Sequence, residues 1–432
     1  MALQAGAAQM NITPKLGTSL AGYFSDRKAQ RVHDELWVKA LVLDNGEMAI
    51  ALVVADLICL EREFIDRAKS LIQQRCGLPP ESVLVSCTHT HTGPATVSVL
   101  GVEQDREYVE WLVPRIADSV QMAWQNRQPA QLGIGVGREE RVSFNRRYLM
   151  KDGTVRMNPG YLNPDIVQPV GPTDPDVMVL RVTDLEERNI AIYTVFALHY
   201  VGAPSHDISA DYFGFFAEAL QRFYGETFVA MLANGCCGDV NNIDVYHPPR
   251  RKKPYEQAKH VARVVAAEAL KTGEFVEFTQ EVSLAASLEE LTLPLRKPTE
   301  EQVRRAHEIL ANPQNYSATE VVYAREHLKL LEFPAQVTTP IQVLRVHDAA
   351  VVGLPGEIFA QTGLDIKAAS PFPVTFVVEL ANDWVGYVPT GRAFEEGGYE
   401  TWLARSSKVA PGAAEAMVEV ALKQLRRLHL GQ

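Results

Sequence analysis

Val83-Leu84-Val85-Ser86-Cys87-Thr88-His89-Thr90-His91-Thr92-Gly93-Pro94 places an apolar run of strand length directly before a polar segment holding two histidines. The run reads as a short buried strand whose far end carries reactive side chains. Upstream, a helical stretch over about Glu61–Arg75 is stopped by Gly77-Leu78-Pro79-Pro80. Before it, Val38–Leu43 and Met48–Val54 are β-rich runs joined by Asp44-Asn45-Gly46, a hairpin signal. Downstream, the spacing predicts a helix over Glu107–Gln125, strands over Val177–Val182 and Ile190–Leu198, a helix over Phe213–Phe223 and a strand over Phe228–Leu232. Ala258, Val261, Ala262, Val265 and Ala269 form a helical apolar stripe. Thr299-x-x-Gln302 and Ser317-x-x-Glu320 are capping boxes. A strand pair near Ile341–Val352, a helix after Gly356, a strand at Val374–Leu380 and an amphipathic helix over Ala413–Leu428 follow. Between Arg146 and Val177 lie five prolines, which marks a loop-rich cover over a site. The fold class is mixed α/β, with mixed β-sheets flanked by α-helices, in one domain spanning 1–432.

Composition narrows the function. The 432 residues carry 53 acidic and 42 basic side chains, a net charge of −11, with 47% hydrophobic residues. That is too apolar for disorder, and the charge disfavours a broad nucleic-acid surface. No apolar run reaches the roughly 18–20 residues that cross a bilayer, and the longest, Ala49–Leu60, is interrupted by Asp56. Met1–Met10 has neither the basic nor the apolar region of a secretory signal. The five cysteines are odd in number, include the adjacent Cys236-Cys237 and form no C-x-x-C pair. They are therefore expected to be buried thiols in a reducing compartment, the cytoplasm.

Polar residues recur just beyond apolar strands: His89 and His91, His199 after Ile192–Leu198, Asn234 and Asp239 after Phe228–Leu232, and Glu357 after Val351–Gly356. Strand ends are where α/β sheets gather ligand sites. His-x-His in an extended segment points both rings to one face, so one imidazole binds a metal while the other serves substrate. Two imidazoles and a carboxylate with one position left for water is a common catalytic zinc arrangement. The alternative is a set of hydrogen-bonded loop histidines.

The chain resembles the neutral/alkaline ceramidase family of zinc-dependent amidases through an ordered series of motifs. These are Ala5-Gly6-Ala7, Ile12-Thr13-Pro14, Val32-His33-Asp34, Thr88–Pro94, Phe144-Asn145-Arg146 and Phe196-Ala197-Leu198-His199. Asp211-Tyr212-Phe213-Gly214, Gly238-Asp239-Val240, Gly353–Glu357 and Gly386-Tyr387-Val388-Pro389-Thr390 continue the series. The resemblance implies a ceramidase-like catalytic domain and a single Zn2+ held by His89, His199, Glu357 and Tyr387. It places His91 beside the metal, Arg146 near the scissile group, Tyr399 as a donor to the oxyanion and Asp239 in the site. Asn234, Asn241 and Asp56 are candidates for the substrate-facing wall.

One departure stands out. The family carries a serine nucleophile directly after Gly-Asp-Val, whereas this chain reads Gly238-Asp239-Val240-Asn241-Asn242-Ile243. An amide cannot take the acyl group, and Cys237 lies four positions away. The family's C-terminal immunoglobulin-like domain is also not seen. The expected activity is zinc-dependent hydrolysis of an amide or ester bond by zinc-bound hydroxide, on a small-molecule substrate, with lipid-like compounds among the options. The alternatives are an N-acyl amidase with another nucleophile and a non-catalytic zinc-containing binding protein. Asp211 is expected to cap a helix. Arg250-Arg251-Lys252-Lys253 is expected to be a solvated turn able to attract an anionic substrate. Oligomeric state stays open.

Overall fold

Eight strands form the larger of two principal sheets in this computed structural model, which describes residues 2–251 and 253–431. In chain order they are β1 (Gln4–Asn11), β2 (Trp37–Asp44), β3 (Ala49–Ala55), β4 (Val83–Cys87), β5 (Gln128–Arg138), β6 (Asp176–Asp184), β7 (Asn189–Phe196) and β8 (Val229–Asn234). Their order across the sheet is β8-β7-β6-β5-β1-β2-β3-β4. Only β7–β8 and β3–β4 are parallel pairs. A second sheet contains β9 (Leu284–Pro294), β10 (Gln336–Val346), β11 (Ala349–Gly353) and β12 (Val374–Val378), in that order.

Alternation along the strands explains the layering. In β2, Val38, Ala40 and Val42 face α1 (Arg62–Cys76) and α2 (Arg106–Gln125), while Leu41 and Leu43 face the other way. The second face of the large sheet meets the second sheet through Leu52, Leu84, Tyr193, Leu344, Val351 and Phe376. Helices α3 (Asp211–Tyr224) and α4 (Glu256–Glu274) cover the β6–β8 end of the first face. After α5 (Glu300–Ala311) and α6 (Ala318–Leu330), helices α7 (Ala360–Ala369) and α8 (Ala413–His429) cover the outer side of the second sheet. The result is helix, sheet, sheet, helix, and burying both faces of both sheets supplies the core.

Most predicted elements appear within a residue or two, including the hairpin, both capping boxes and the last helix. Two strands of the large sheet carry no such signal. β5 holds Gly133, Gly135 and Gly137 on one face, where a Cβ would come within 2.3–2.9 Å of Val276 or Thr272 side chains. The glycines admit the end of α4 close to the strand and also erase the hydrophobic alternation by which a strand is read. The proline-rich cover contains a small sheet of its own, from Arg147–Met150, Val155–Met157 and Ile166–Pro169.

The two edges of the large sheet meet. Asn234, at the end of β8, donates from Nδ2 to the Thr88 carbonyl beyond β4 at 2.9 Å. Neighbouring strands twist by about 20–25°, so seven steps accumulate to roughly 140–175°. The β1–β5 ladder is only Gln4↔Pro129 and Ala5↔Gln128, which leaves the halves free to turn. The C-terminal ends of β4, β7 and β8 consequently point into one region.

Candidate metal centre and its surroundings

Three buried histidines converge there. His89 and His91 follow β4 and His199 follows β7, and one ligand-type nitrogen from each lies within 4.8 Å of the others. The ring centroids of His89 and His199 are 4.4 Å apart, and those of His89 and His91 are 4.7 Å apart. The rings meet by a different route from the extended segment expected. His89 has φ +65°, in the left-handed region, with its N–H donating to Leu57 O at 2.8 Å. Such a backbone conformation costs a non-glycine residue on the order of 1–3 kcal/mol and concentrates at functional sites.

The imidazole environments match metal ligation. His89 Nδ1 lies 2.7 Å from the Ile58 carbonyl, which assigns the proton to Nδ1 and leaves Nε2 with its lone pair free. Neither nitrogen of His91, nor Nε2 of His89, nor Nδ1 of His199 has a hydrogen-bond partner among the described residues, although all are buried. Buried polar atoms are ordinarily satisfied, so unpartnered nitrogens on three converging rings fit an ion. Burial first, and then the neighbouring His89, holds the imidazoles of His91 and His199 well below the usual range, hence neutral. Burial opposes protonation of His89 as well, but the Glu357 carboxylate outweighs it and raises its pKa.

The opposite wall comes from a separate two-stranded ladder that follows strands of the second sheet. Glu357–Ile358 pairs in parallel with Tyr387–Val388, so Glu357 and Tyr387 are cross-strand neighbours. This replaces the helix start that Gly356 suggested, since α7 begins only at Ala360. Glu357 Oε2 lies 3.4 Å from His89 Nε2, and its Oε1 accepts from Trp384 Nε1 at 3.2 Å. Burial would raise the Glu357 carboxyl, but His89, Tyr387 and Trp384 hold it below the usual carboxylate range. Arg146 donates from Nη2 to the Tyr387 hydroxyl at 3.0 Å and from Nε to Glu400 Oε1 at 2.8 Å. Tyr399 completes a cavity of about 40 Å³ with His89, His91, Glu357, Trp384 and Tyr387. Desolvation keeps both Tyr387 and Tyr399 protonated in the protein alone.

Other candidates are near but engaged elsewhere. Asn241 donates from Nδ2 to Asn158 Oδ1 and accepts from Ile243 N, each at 2.9 Å, so it ties a turn. Asp239 accepts from Asn145 Nδ2 and from Ala360 N, each at 2.8 Å. It thereby caps α7, whose own N-cap residue, Phe359, makes no side-chain cap. Burial raises the Asp239 carboxyl to about 6 against these donors. Asp56 accepts from Trp37 N at 2.9 Å and secures the end of the β2–β3 ladder. Asn234 is the strut between the sheet edges. None of these four lines the cavity. Asp211 accepts from Tyr212 N at the start of α3 and from Gly202 N, tying the loop after His199 to that helix. Cys237 donates to buried Glu379 at 2.9 Å, and burial followed by that carboxyl pushes its thiol well up, away from a thiolate nucleophile.

Sequence reasoning missed Glu400, Trp384, Tyr200 and Gly22. Tyr200 stacks on His91 with ring centroids 3.7 Å apart. A Cβ on Gly22, at φ +104°, would sit 2.5 Å from His91 Cγ, so only glycine admits the ring there. Trp384 lies two residues before the Gly386–Thr390 motif, which was the one signal near any of them.

A buried imidazole trio with a carboxylate 3.4 Å from one of its rings is a group that could hold a metal ion in an α/β protein. Residues 3–248 match the neutral/alkaline non-lysosomal ceramidase N-terminal model, and the chain belongs to that family. Neutral ceramidase of Pseudomonas aeruginosa is 25% identical over 229 residues, covering 49% of this chain and 32% of that protein. The match thus spans about a third of that relative's length. The crystal structure of neutral ceramidase from Pseudomonas aeruginosa aligns with TM-score 0.76 at 18% identity, covering 100% of this chain and 75% of the other. A ceramidase complexed with C2 aligns with TM-score 0.78 at 17% identity, covering 100% and 76%. These likenesses establish the ceramidase-like fold.

Proposed function

We propose that this protein is a zinc-dependent hydrolase of N-acyl amides or esters, with His89, His199, Glu357 and Tyr387 holding the ion. The observation carrying this reading is the set of orphaned imidazole nitrogens facing Glu357, whose carboxylate lies 3.4 Å from His89. A zinc ion in this donor set supplies Lewis-acid polarisation of the carbonyl and lowers the pKa of water to about 7.

The chain's own residues do the rest. Arg146, anchored by Glu400, holds a fixed positive charge at the cavity edge, where a developing oxyanion gains most in a low-dielectric site. Tyr399 donates its hydroxyl proton toward that oxygen. His91, neutral and stacked on Tyr200, accepts a proton and returns it to the leaving amine or alcohol. Asn241 takes no part in bond making. Family membership supports a lipid-type amide as substrate. The test is removal of metal with a chelator and reloading with zinc: hydrolysis of a short N-acyl amide is lost and then restored. Hydrolysis that survives at full rate without metal refutes the reading.

A further inference from the structure

We propose that Trp384 and Lys408 are positioning residues for Glu357: the indole N–H holds one carboxylate oxygen, and a buried ammonium on the ring face strengthens that bond. This rests on the zinc reading above. Trp384 lines the metal cavity and donates from Nε1 to Glu357 Oε1 at 3.2 Å. Glu357 Oε2 is the oxygen turned to the imidazoles, 3.4 Å from His89 Nε2. With Oε1 tied to the indole, the carboxylate offers an ion one oxygen in a fixed direction. Hydrogen-bond partners behind a metal ligand act in this way, by setting its orientation and basicity.

Lys408 has no other assigned task. It is 7% exposed, and its ammonium makes no ion pair among the described residues. Nζ donates to the Val385 carbonyl at 2.9 Å and to the Arg405 carbonyl at 3.1 Å, and it lies 4.7 Å from the centroid of the Trp384 ring. Two of its three N–H donors thus meet carbonyls, and the indole face takes the remaining side. Burial lowers the ammonium to about 8, which leaves it charged at neutral pH. A buried cation without an opposite charge beside it is costly, so its place on this ring calls for a return. Cation, ring and carboxylate stand in series, and a cation on the face draws density from the ring and makes its N–H a stronger donor to Glu357. The backbone fixes the same arrangement. Gly386 bridges to Ser407 and Tyr387 N donates to Ser406 O at 2.8 Å, so the lysine's segment runs against the one carrying Trp384 and Tyr387.

The test titrates zinc, against a competing fluorescent chelator, into metal-free wild-type protein and the Trp384→Phe, Lys408→Met and Lys408→Arg variants. Urea unfolding of each metal-free protein runs alongside. Trp384→Phe keeps an aromatic ring but loses the N–H, and zinc binding should weaken by about 10–100-fold. Lys408→Met should weaken it by about tenfold, while Lys408→Arg, which keeps a cation on the ring, should recover most of that loss. Zinc should also change the tryptophan emission of the wild type, and Trp384→Phe should remove that change. Residues that only pack would lower the unfolding midpoint and leave zinc affinity alone. Affinity within about twofold of wild type in either Trp384→Phe or Lys408→Met overturns the proposal, as does equal weakening by Lys408→Met and Lys408→Arg. If Trp384→Phe fails to fold, the two lysine variants decide. Zinc bound equally by wild type and variants removes this inference alone, whereas a wild type that binds no zinc removes the zinc reading with it.

Discussion

The imidazole wall and the Asn241 corner lie within the same part of the fold yet treat their polar atoms in opposite ways. Around His89, His91 and His199 buried nitrogens are left without partners, whereas both ends of the Asn241 amide and both oxygens of Asp239 are engaged. Buried donors and acceptors are ordinarily matched, so unpartnered nitrogens on three converging rings mark the histidines as the better candidate site and the corner as scaffold. Asn241, directly after Gly238-Asp239-Val240, ties a turn here.

The largest effect should come from the imidazole wall. His199→Ala or Glu357→Gln should abolish bound zinc, measured by elemental analysis, and lower hydrolysis by roughly 10³-fold or more. Retained zinc with retained turnover would erase the contrast between the two regions. Next is Glu400, which is wholly buried and pairs with Arg146 and, at 3.4 Å, with Arg147. Glu400→Gln takes the carboxylate from Arg146, which keeps the Tyr387 hydroxyl, and from Arg147, which keeps Glu396 and the Gly397 carbonyl, and should cost about 3 kcal/mol in urea unfolding. A change near zero would mean that these arginines find water instead.

A smaller effect tests the rule outside the site. Lys69, 2% exposed on α1, has its pKa lowered to about 7 by burial. Between that value and the ordinary 10.5, the unfolded chain binds the extra proton, so stability rises with pH across this window. Below pH 7 the group is charged in both states and its contribution is flat and unfavourable. Lys69→Met should stabilise the protein at pH 7 by about 2 kcal/mol and remove the rise, as followed by unfolding at several pH values. Burial of this ammonium is then only a cost. The smallest effect belongs to the corner: Asn241→Ala should lose about 1 kcal/mol of stability and leave turnover within about twofold. A large loss of turnover with unchanged folding would move Asn241 into the chemistry.

Much of this was legible beforehand, and the failures have physical causes. Strand-end placement singled out His89, His199 and Glu357, which the structure brings together, because apolar runs locate strands and polar residues after them lie where the strand ends converge. β5 was hidden because its glycines fit α4 and therefore carry no hydrophobic pattern. Glu400 was hidden because its partner Arg146 is 254 residues away, and a lone glutamate has no periodicity. Asp239 and Asp56 accept from backbone N–H groups here, and in sequence a strand-end acid that does so looks like one that serves chemistry.

The amino-acid order by itself determined which segments become strands and helices, and which donor types stand at their ends, since these depend on local hydrophobic spacing and side-chain chemistry. Only the tertiary structure decided that donors on opposite edges of an eight-stranded sheet share one cavity. That depends on twist accumulated over the whole sheet and on a two-pair β1–β5 ladder that lets its halves turn, and no single stretch of sequence encodes such a sum.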